Sequence, residues 1–400
     1  MQSDNHIPQR PRVAGDARVN FQNNLAFISL LLKGDHETAA ERLRDGVIEP
    51  REFAHFLGRH RLRLFAFSLL SGSPAQKWLP REWVDKLKMF SLGQWATQER
   101  LVQELERIST SLSAAGHQFI LLKGPYLATR FFGGIERREF ADLDILIRRK
   151  DLPEVDRLLR SSGYGRKSRV LLNEALTAHF THALDFAKPN VKLDLHWSLS
   201  ANAFHSLDYD AIWQHRQVFV LHKHKFFVLP DEYELVFSLI SIFKDLERGA
   251  ARLNKFVDLY FTLHALIPHL DWEQFLENRK RERILQITVN VLALFVELFG
   301  CADGFPEVAR AVARDHRLIE RVSGEDVAAL LEASPGTLRN KLWAANIYEC
   351  SRARVFLWWL VSLPFRLAVH QRRGFGENRR SAQYPENRVW PISSSGGDPP

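Results

Sequence analysis

The chain has 400 residues, 46% of them hydrophobic, and carries a net charge of +8. That composition supplies a sizeable core and suits two or three globular domains, or one large domain with appendages. Only two cysteines occur, Cys301 and Cys350, which excludes a disulfide scaffold and a cysteine-based zinc site and suits a reducing compartment.

The first 20 residues are polar and are expected to be disordered, with no signal peptide visible. Residues 21–116 read as an N-terminal helical region. In "RLVQELERISTSLSAAG", Leu101, Leu105, Ile108 and Leu112 form one stripe and Gly116 supplies a stop. An earlier "LLKG" at Leu31–Gly34 ends an apolar run and reads as an ordinary helix stop.

The period then changes. "FILLKG" (119–124) is strand-like, and "PYLATRFFG" suits a helix with Pro125 in its first turn. "DLDILI" (142–147) is a second strand, on which Asp142 and Asp144 share one face. Two like charges side by side are costly unless something cationic sits between them. "KDLPEVDRLLRSSGYG" follows as a helix with Gly163 past its end.

Next come two strands, "FTHALDFA" (180–187) and "VKLDLHW" (191–197), joined by a turn at "KPN". Val191, Leu193, Leu195 and Trp197 share one face of the second, and Lys192, Asp194 and His196 the other. A two-residue turn puts Asp185 opposite Asp194, and a three-residue turn shifts it by one; Asp185 reads as a structural or supporting carboxylate. His179 and His182 read as surface residues.

From Pro230 the chain is helical again. Asp231 with Glu234 three residues on reads as a capping box. Lys244, Arg248, Arg252 and Lys255 form a basic stripe, either a solvated face or a wall for phosphates. "QITVNVLALFVELFG" (286–300) is a buried helix, too short and too polar to span a bilayer.

Between Arg352 and Arg388 lie eight arginines and two glutamates, so this segment alone carries +6 of the +8. The rest is near neutral, which speaks against nucleic acid as a partner. "VFLWWLVSLPFRL" within it reads as a closing helix or as an interfacial membrane anchor. The last twenty or so residues read as a disordered tail.

The expected organisation is therefore helical over 21–116, an α/β core over 117–229, helical over 230–350, and a basic Trp- and Arg-rich segment over 351–400. The fold class is α+β, with a small mixed sheet between helical regions.

Three acids on adjacent strands, Asp142, Asp144 and Asp194, would be relieved by Mg²⁺, which prefers carboxylate oxygens and keeps positions open for phosphate. "ILLKGPYLATRFF", "RREFADLDILI", "SSGYG" and "VKLDLHWSL", in that order, resemble nucleotidyltransferases of the DNA polymerase beta superfamily. The likeness is to a bacterial group with Leu-Lys-Gly, Arg-x-x-x-Asp-Leu-Asp and Asp/Glu-Leu-His-Trp. "RLNKFVDLYFTL" (252–263) resembles a further segment of that group.

The resemblance implies a nucleotidyltransferase-type sheet, Mg²⁺ or alternatively Mn²⁺, and transfer of a nucleoside monophosphate from an NTP, ATP foremost. It implies Asp142 and Asp144 as metal ligands, with Asp194 as third ligand or as base for the acceptor hydroxyl. It places Lys123, Gly124, Arg138, His196 and Arg252 against the nucleotide. The acceptor is an unidentified hydroxyl or phosphate, and the group's association with surface polysaccharide genes suggests its class.

The chain departs from that group where histidines usually precede the Arg-Leu segment; here the stretch reads "SIFKDLERGAARL". Two other readings stay open: a glycosyltransferase whose Asp-x-Asp holds a nucleotide sugar, and a degenerate binding or assembly protein. The expected location is cytoplasmic, with peripheral contact at the inner face of the membrane through 352–388.

Overall fold

The computed structural model describes residues 14–167, 181–200, 202, 204–316, 331 and 338–370. His179, residues 1–13 of the stretch expected to be disordered and the tail after 370 lie outside them, whereas residues 14–20 of that stretch are helical.

Five α-helices open the chain: Ala14–Lys33, His36–Arg44, Pro50–His60, Arg63–Leu70 and Arg81–Ala114. Gly34 ends the first with φ +72°, the stop expected of that "LLKG". In the 34-residue Arg81–Ala114 helix the Leu101, Leu105, Ile108 and Leu112 stripe is buried as expected. One and two turns further back, Gln98 and Gln94 are buried too, and they grip the loop before the acidic strand. Gln94 Nε2 donates to the Phe140 carbonyl at 2.9 Å and Gln98 Nε2 to the Arg138 carbonyl at 3.2 Å. Glu139 of that loop accepts from the Arg63 and Leu64 amides at 2.6 and 3.3 Å, capping a helix 75 residues earlier.

The sheet is mixed and larger than expected, with seven strands ordered β3-β4-β5-β2-β1-β7-β6. They are β1 Phe119–Leu121, β2 Leu143–Ile147, β3 Gly165–Arg166, β4 Ala183–Lys188, β5 Val191–His196, β6 Gln217–Leu221 and β7 His224–Val228. β2 lies parallel to β5, β1 parallel to β7, and the other neighbours are antiparallel. All five residues of β2 are buried.

The β6–β7 hairpin turns through His222 at φ +53°, a conformation usually left to Gly or Asn. Lacking that signature, the hairpin is not readable from its turn. The β4–β5 turn is the two-residue form, Pro189-Asn190 with Asn190 at φ +65°, so Asp185 faces Asp194 directly.

The helices with described bounds that follow are Asp231–Arg248, Leu253–Leu266, Trp272–Arg281, Leu285–Phe299, Pro306–Arg314, Leu338–Ile347 and Arg352–His370. The Leu285–Phe299 helix is buried along most of its length, as its sequence reads. The expected capping box does not form. The first helix begins directly after Pro230 with no side-chain cap, and Asp231 instead accepts from Arg130 at 2.7 Å. A guanidinium outcompetes backbone amides for that carboxylate. One continuous apolar core runs from Phe21 to Val355, joining sheet and helices. No helix among the described residues is long and apolar enough to cross a membrane.

Candidate functional site

The three aspartates reach one cleft by different local routes. Asp142 stands just before β2, half-buried; Asp144 is the second residue of β2; Asp194 sits opposite it on β5. The period-2 alternation of both strands puts the two paired carboxylates on the same face of the sheet. The Asp231–Arg248 helix covers that face, and the cleft between them measures about 270 Å³. That is just below the usual size of ligand pockets, which run from roughly 300 Å³ upward.

His196, two residues after Asp194, brings its Nε2 to 3.0 Å from Asp144 Oδ1 and buries its ring edge-on to Phe237. One donor atom from each of Asp144, Asp194 and His196 lies within 4.8 Å of the others. Asp142 lines the same cleft but stands outside this closest group.

The electrostatics follow from this crowding. Burial, then Asp144 and Asp142, then Asp185, hold the Asp194 carboxyl far above the ordinary carboxylate range. Asp142 is raised by burial and by Asp144. Burial also opposes ionisation of Asp144, but Lys123 and the His196 hydrogen bond outweigh it and push its pKa down. One acid is thus ionised beside two that resist. Such a donor set of close carboxylates with an adjacent imidazole fits a divalent cation, whose charge would relieve the crowding.

Gly124, between β1 and the Pro125–Phe132 helix, adopts φ +63° and ψ −123°. A side chain there would meet only ordinary contacts at 3.5 Å and beyond, so backbone conformation rather than clearance calls for glycine. The Leu122 amide donates to the Asp144 carbonyl at 3.0 Å and fixes this loop against the acids. Lys123 lies 4.4 Å over the Phe237 ring and faces the carboxylates.

The opposite wall is basic. Lys244, Arg252 and Lys255 line the cleft, whereas Arg248 is exposed. Lys255 is held by Asp245 at 2.5 Å and by Ser241 Oγ at 2.8 Å. Lys244 is not paired with an acid in this way: its Nζ lies 2.9 Å from His182 Nε2. Burial and then Arg248, Lys123 and Lys255 lower it to about 7. The expectation that His182 is a surface residue is therefore corrected. It is half-buried, its ring centroid is 5.6 Å from that of His196, and burial followed by Lys244 holds it neutral. The reason is that His182, directly before β4, meets Lys244 of the Asp231–Arg248 helix, a contact that a sequence alternation cannot reveal.

Arg138 also lines the cleft, but two arms of its fork go to Asp258, at 2.6 and 2.8 Å, in a buried bidentate pair. That pair ties the loop before β2 to the Leu253–Leu266 helix. The remaining Nη1 is buried without a hydrogen-bond partner.

Arg61 and Glu234 are among the lining residues that escape the sequence reading. Arg61, which ends the Pro50–His60 helix at φ +54°, carries no local signal of its destination. Glu234 does carry one: with Phe237, Ser238, Ser241, Lys244 and Asp245 it forms a single helical stripe, and all six line the cleft. Its carboxyl is raised to about 8 by burial, against the pull of Arg130 and Lys123, and its Oε2 has no hydrogen-bond partner.

No curated protein matches the chain. Residues 47–300, more than half of it, match a family described as an uncharacterised nucleotidyltransferase. That span contains every acid, cation and histidine of the cleft, and the chain belongs to this family of uncharacterised nucleotidyltransferases.

Proposed function

We propose that this cleft transfers a nucleoside monophosphate from an NTP, ATP foremost, to a hydroxyl or phosphate acceptor, in the manner of the DNA polymerase beta superfamily. The observation that carries this reading is the facing of two walls. Asp142, Asp144 and Asp194 stand on the sheet side, and Lys123, Lys244, Arg252 and Arg61 surround them. Arg138 and Lys255 are already matched by Asp258 and Asp245, and Lys123, Lys244, Arg252 and Arg61 line the same cleft, where a triphosphate would meet them.

A divalent cation bound by the aspartates, Mg²⁺ or, with His196 among the ligands, Mn²⁺, would neutralise them and polarise phosphate oxygens. His196 orients Asp144 through its hydrogen bond. Lys123, Lys244 and Arg252 bind the phosphate oxygens, and Gly124 lets the backbone approach them. The acceptor oxygen forms its bond to the α-phosphorus as the bond to pyrophosphate breaks. Its proton passes to Asp194 where that residue acts as base. A small cleft holds the phosphates and leaves the base and acceptor near its mouth.

A nucleotide-sugar transferase is the weaker reading. Its Asp-x-Asp follows a larger parallel sheet, whereas here, among the described residues, β1 alone precedes Asp142 and only two strand pairings are parallel.

The test is titration of the protein with each NTP, with and without Mg²⁺, together with pyrophosphate release. Metal-dependent binding is expected in the native chain and is lost in Asp142→Ala/Asp144→Ala, while transfer drops by about 10³-fold or more. A folded protein that binds no NTP would sink the proposal. Binding without pyrophosphate release under any acceptor would favour a degenerate binding protein instead.

A further inference from the structure

The Arg352–His370 helix is inside out. Its inner side is conventional: Val355 and Ser362 are buried, and Trp359 Nε1 donates to Glu247 Oε1 at 3.1 Å. Trp358 meets Phe204 edge-on at 6.1 Å. Its outer side carries Phe356, Leu357, Leu360, Val361 and Leu363, exposed by 44% to 68%. At 100° per residue these five fall on one broad arc. Water-facing helix surfaces ordinarily carry Lys and Glu, yet no charged residue occurs from Val355 to Phe365.

The charge around this stripe has one sign. Arg352 and Arg354 precede it, Arg366 follows it, and the sequence from 352 to 388 carries +6. The helix cannot span a bilayer, and one side of it is already committed to the body of the protein. An apolar stripe of this length, bordered by tryptophans and arginines, matches the chemistry of the headgroup region of an anionic membrane. A second copy fits less well, because a symmetric contact would bring together two helices that each carry Arg352, Arg354 and Arg366 and no acid.

We infer that Arg352–His370 seats the protein on an anionic lipid bilayer. Phe356, Leu357, Leu360, Val361 and Leu363 enter the interface, and the flanking arginines meet headgroup phosphates. This inference does not depend on the chemistry of the cleft.

Co-sedimentation of the full chain with phosphatidylcholine vesicles, with and without phosphatidylglycerol, tests it. The protein is expected to bind the mixed vesicles at least about tenfold more tightly than phosphatidylcholine alone, and less tightly as salt rises. Leu357→Glu/Leu360→Glu should lose about tenfold or more of that binding with its melting temperature unchanged, since both side chains are already in water. Arg352→Glu/Arg354→Glu should remove the preference for phosphatidylglycerol. Failure of the native chain to bind either vesicle overturns the inference. So does a dimer that the Leu357→Glu/Leu360→Glu variant dissociates without any change in vesicle binding, which would make this face an interface between copies.

Discussion

Two helices of nearly equal length, Asp231–Arg248 with 18 residues and Arg352–His370 with 19, break the usual pattern in opposite ways. The first is wrapped in core on most sides and spends Glu234, Ser238, Ser241, Lys244 and Asp245 on an interior cleft. The second packs a narrow inner stripe and leaves Phe356, Leu357, Leu360, Val361 and Leu363 in water. Burying polar groups and exposing apolar ones are both costly. A chain that does each once, in separate places, marks one place where polar ligands enter and another where an apolar phase is met.

The largest stability effect should come from breaking the ion pair that closes the cleft. Asp258→Ala leaves Arg138 buried with its fork unmatched, and is expected to cost about 3–5 kcal/mol. Replacing both partners, as Arg138→Met/Asp258→Leu, should recover most of that loss, because desolvation of both charges is removed together. Urea unfolding of the two variants checks this; equal losses would mean that the pair is not what holds the loop to the Leu253–Leu266 helix. A Lys at 138 should not rescue, since it cannot make the bidentate contact.

Glu234 offers a smaller effect with a definite sign. Its carboxyl titrates near 4.5 in the unfolded chain and at about 8 in the fold. Between those values the folded protein holds the extra proton, so stability attributable to Glu234 falls as pH rises and is fully lost above about 8. Glu234→Gln keeps the shape and removes the titration. Native and variant should be about equally stable near pH 4.5, with the variant ahead above pH 8 by on the order of a few kcal/mol. Parallel stability curves across that range would mean that Glu234 is ionised and matched in the fold, and that the inner helix carries no neutral acid into the cleft.

How much of this was legible in sequence divides along the same line. Leu101, Leu105, Ile108 and Leu112 and the alternation in "VKLDLHW" were readable because a single element fixes which face each residue takes. Asp142, Asp144 and Asp194 were readable as a set because they sit on strands whose apolar neighbours already declare the other face. Glu234 was misread as a cap because a capping box is a local pattern, and the competing partner of Asp231, Arg130, lies 101 residues away. Arg61 and His182 were missed for the same reason: what places them is the approach of distant elements. The β6–β7 hairpin was missed because His222 takes a left-handed turn without the glycine that announces one.

The outer helix gives the smallest predicted effects and the finest test of the comparison, because its two faces can be altered one residue at a time. Val355 is fully buried and Leu360 is 68% exposed. Val355→Ala removes packed methyl groups and should cost about 1–2 kcal/mol. Leu360→Ala removes more atoms yet should change stability by less than about 0.5 kcal/mol, since those atoms gain nothing from folding. The order is the reverse of what side-chain size alone predicts. A loss at Leu360 as large as that at Val355 would show that the outer stripe is covered in the free protein. The contrast between the two helices would then reduce to ordinary packing on both sides.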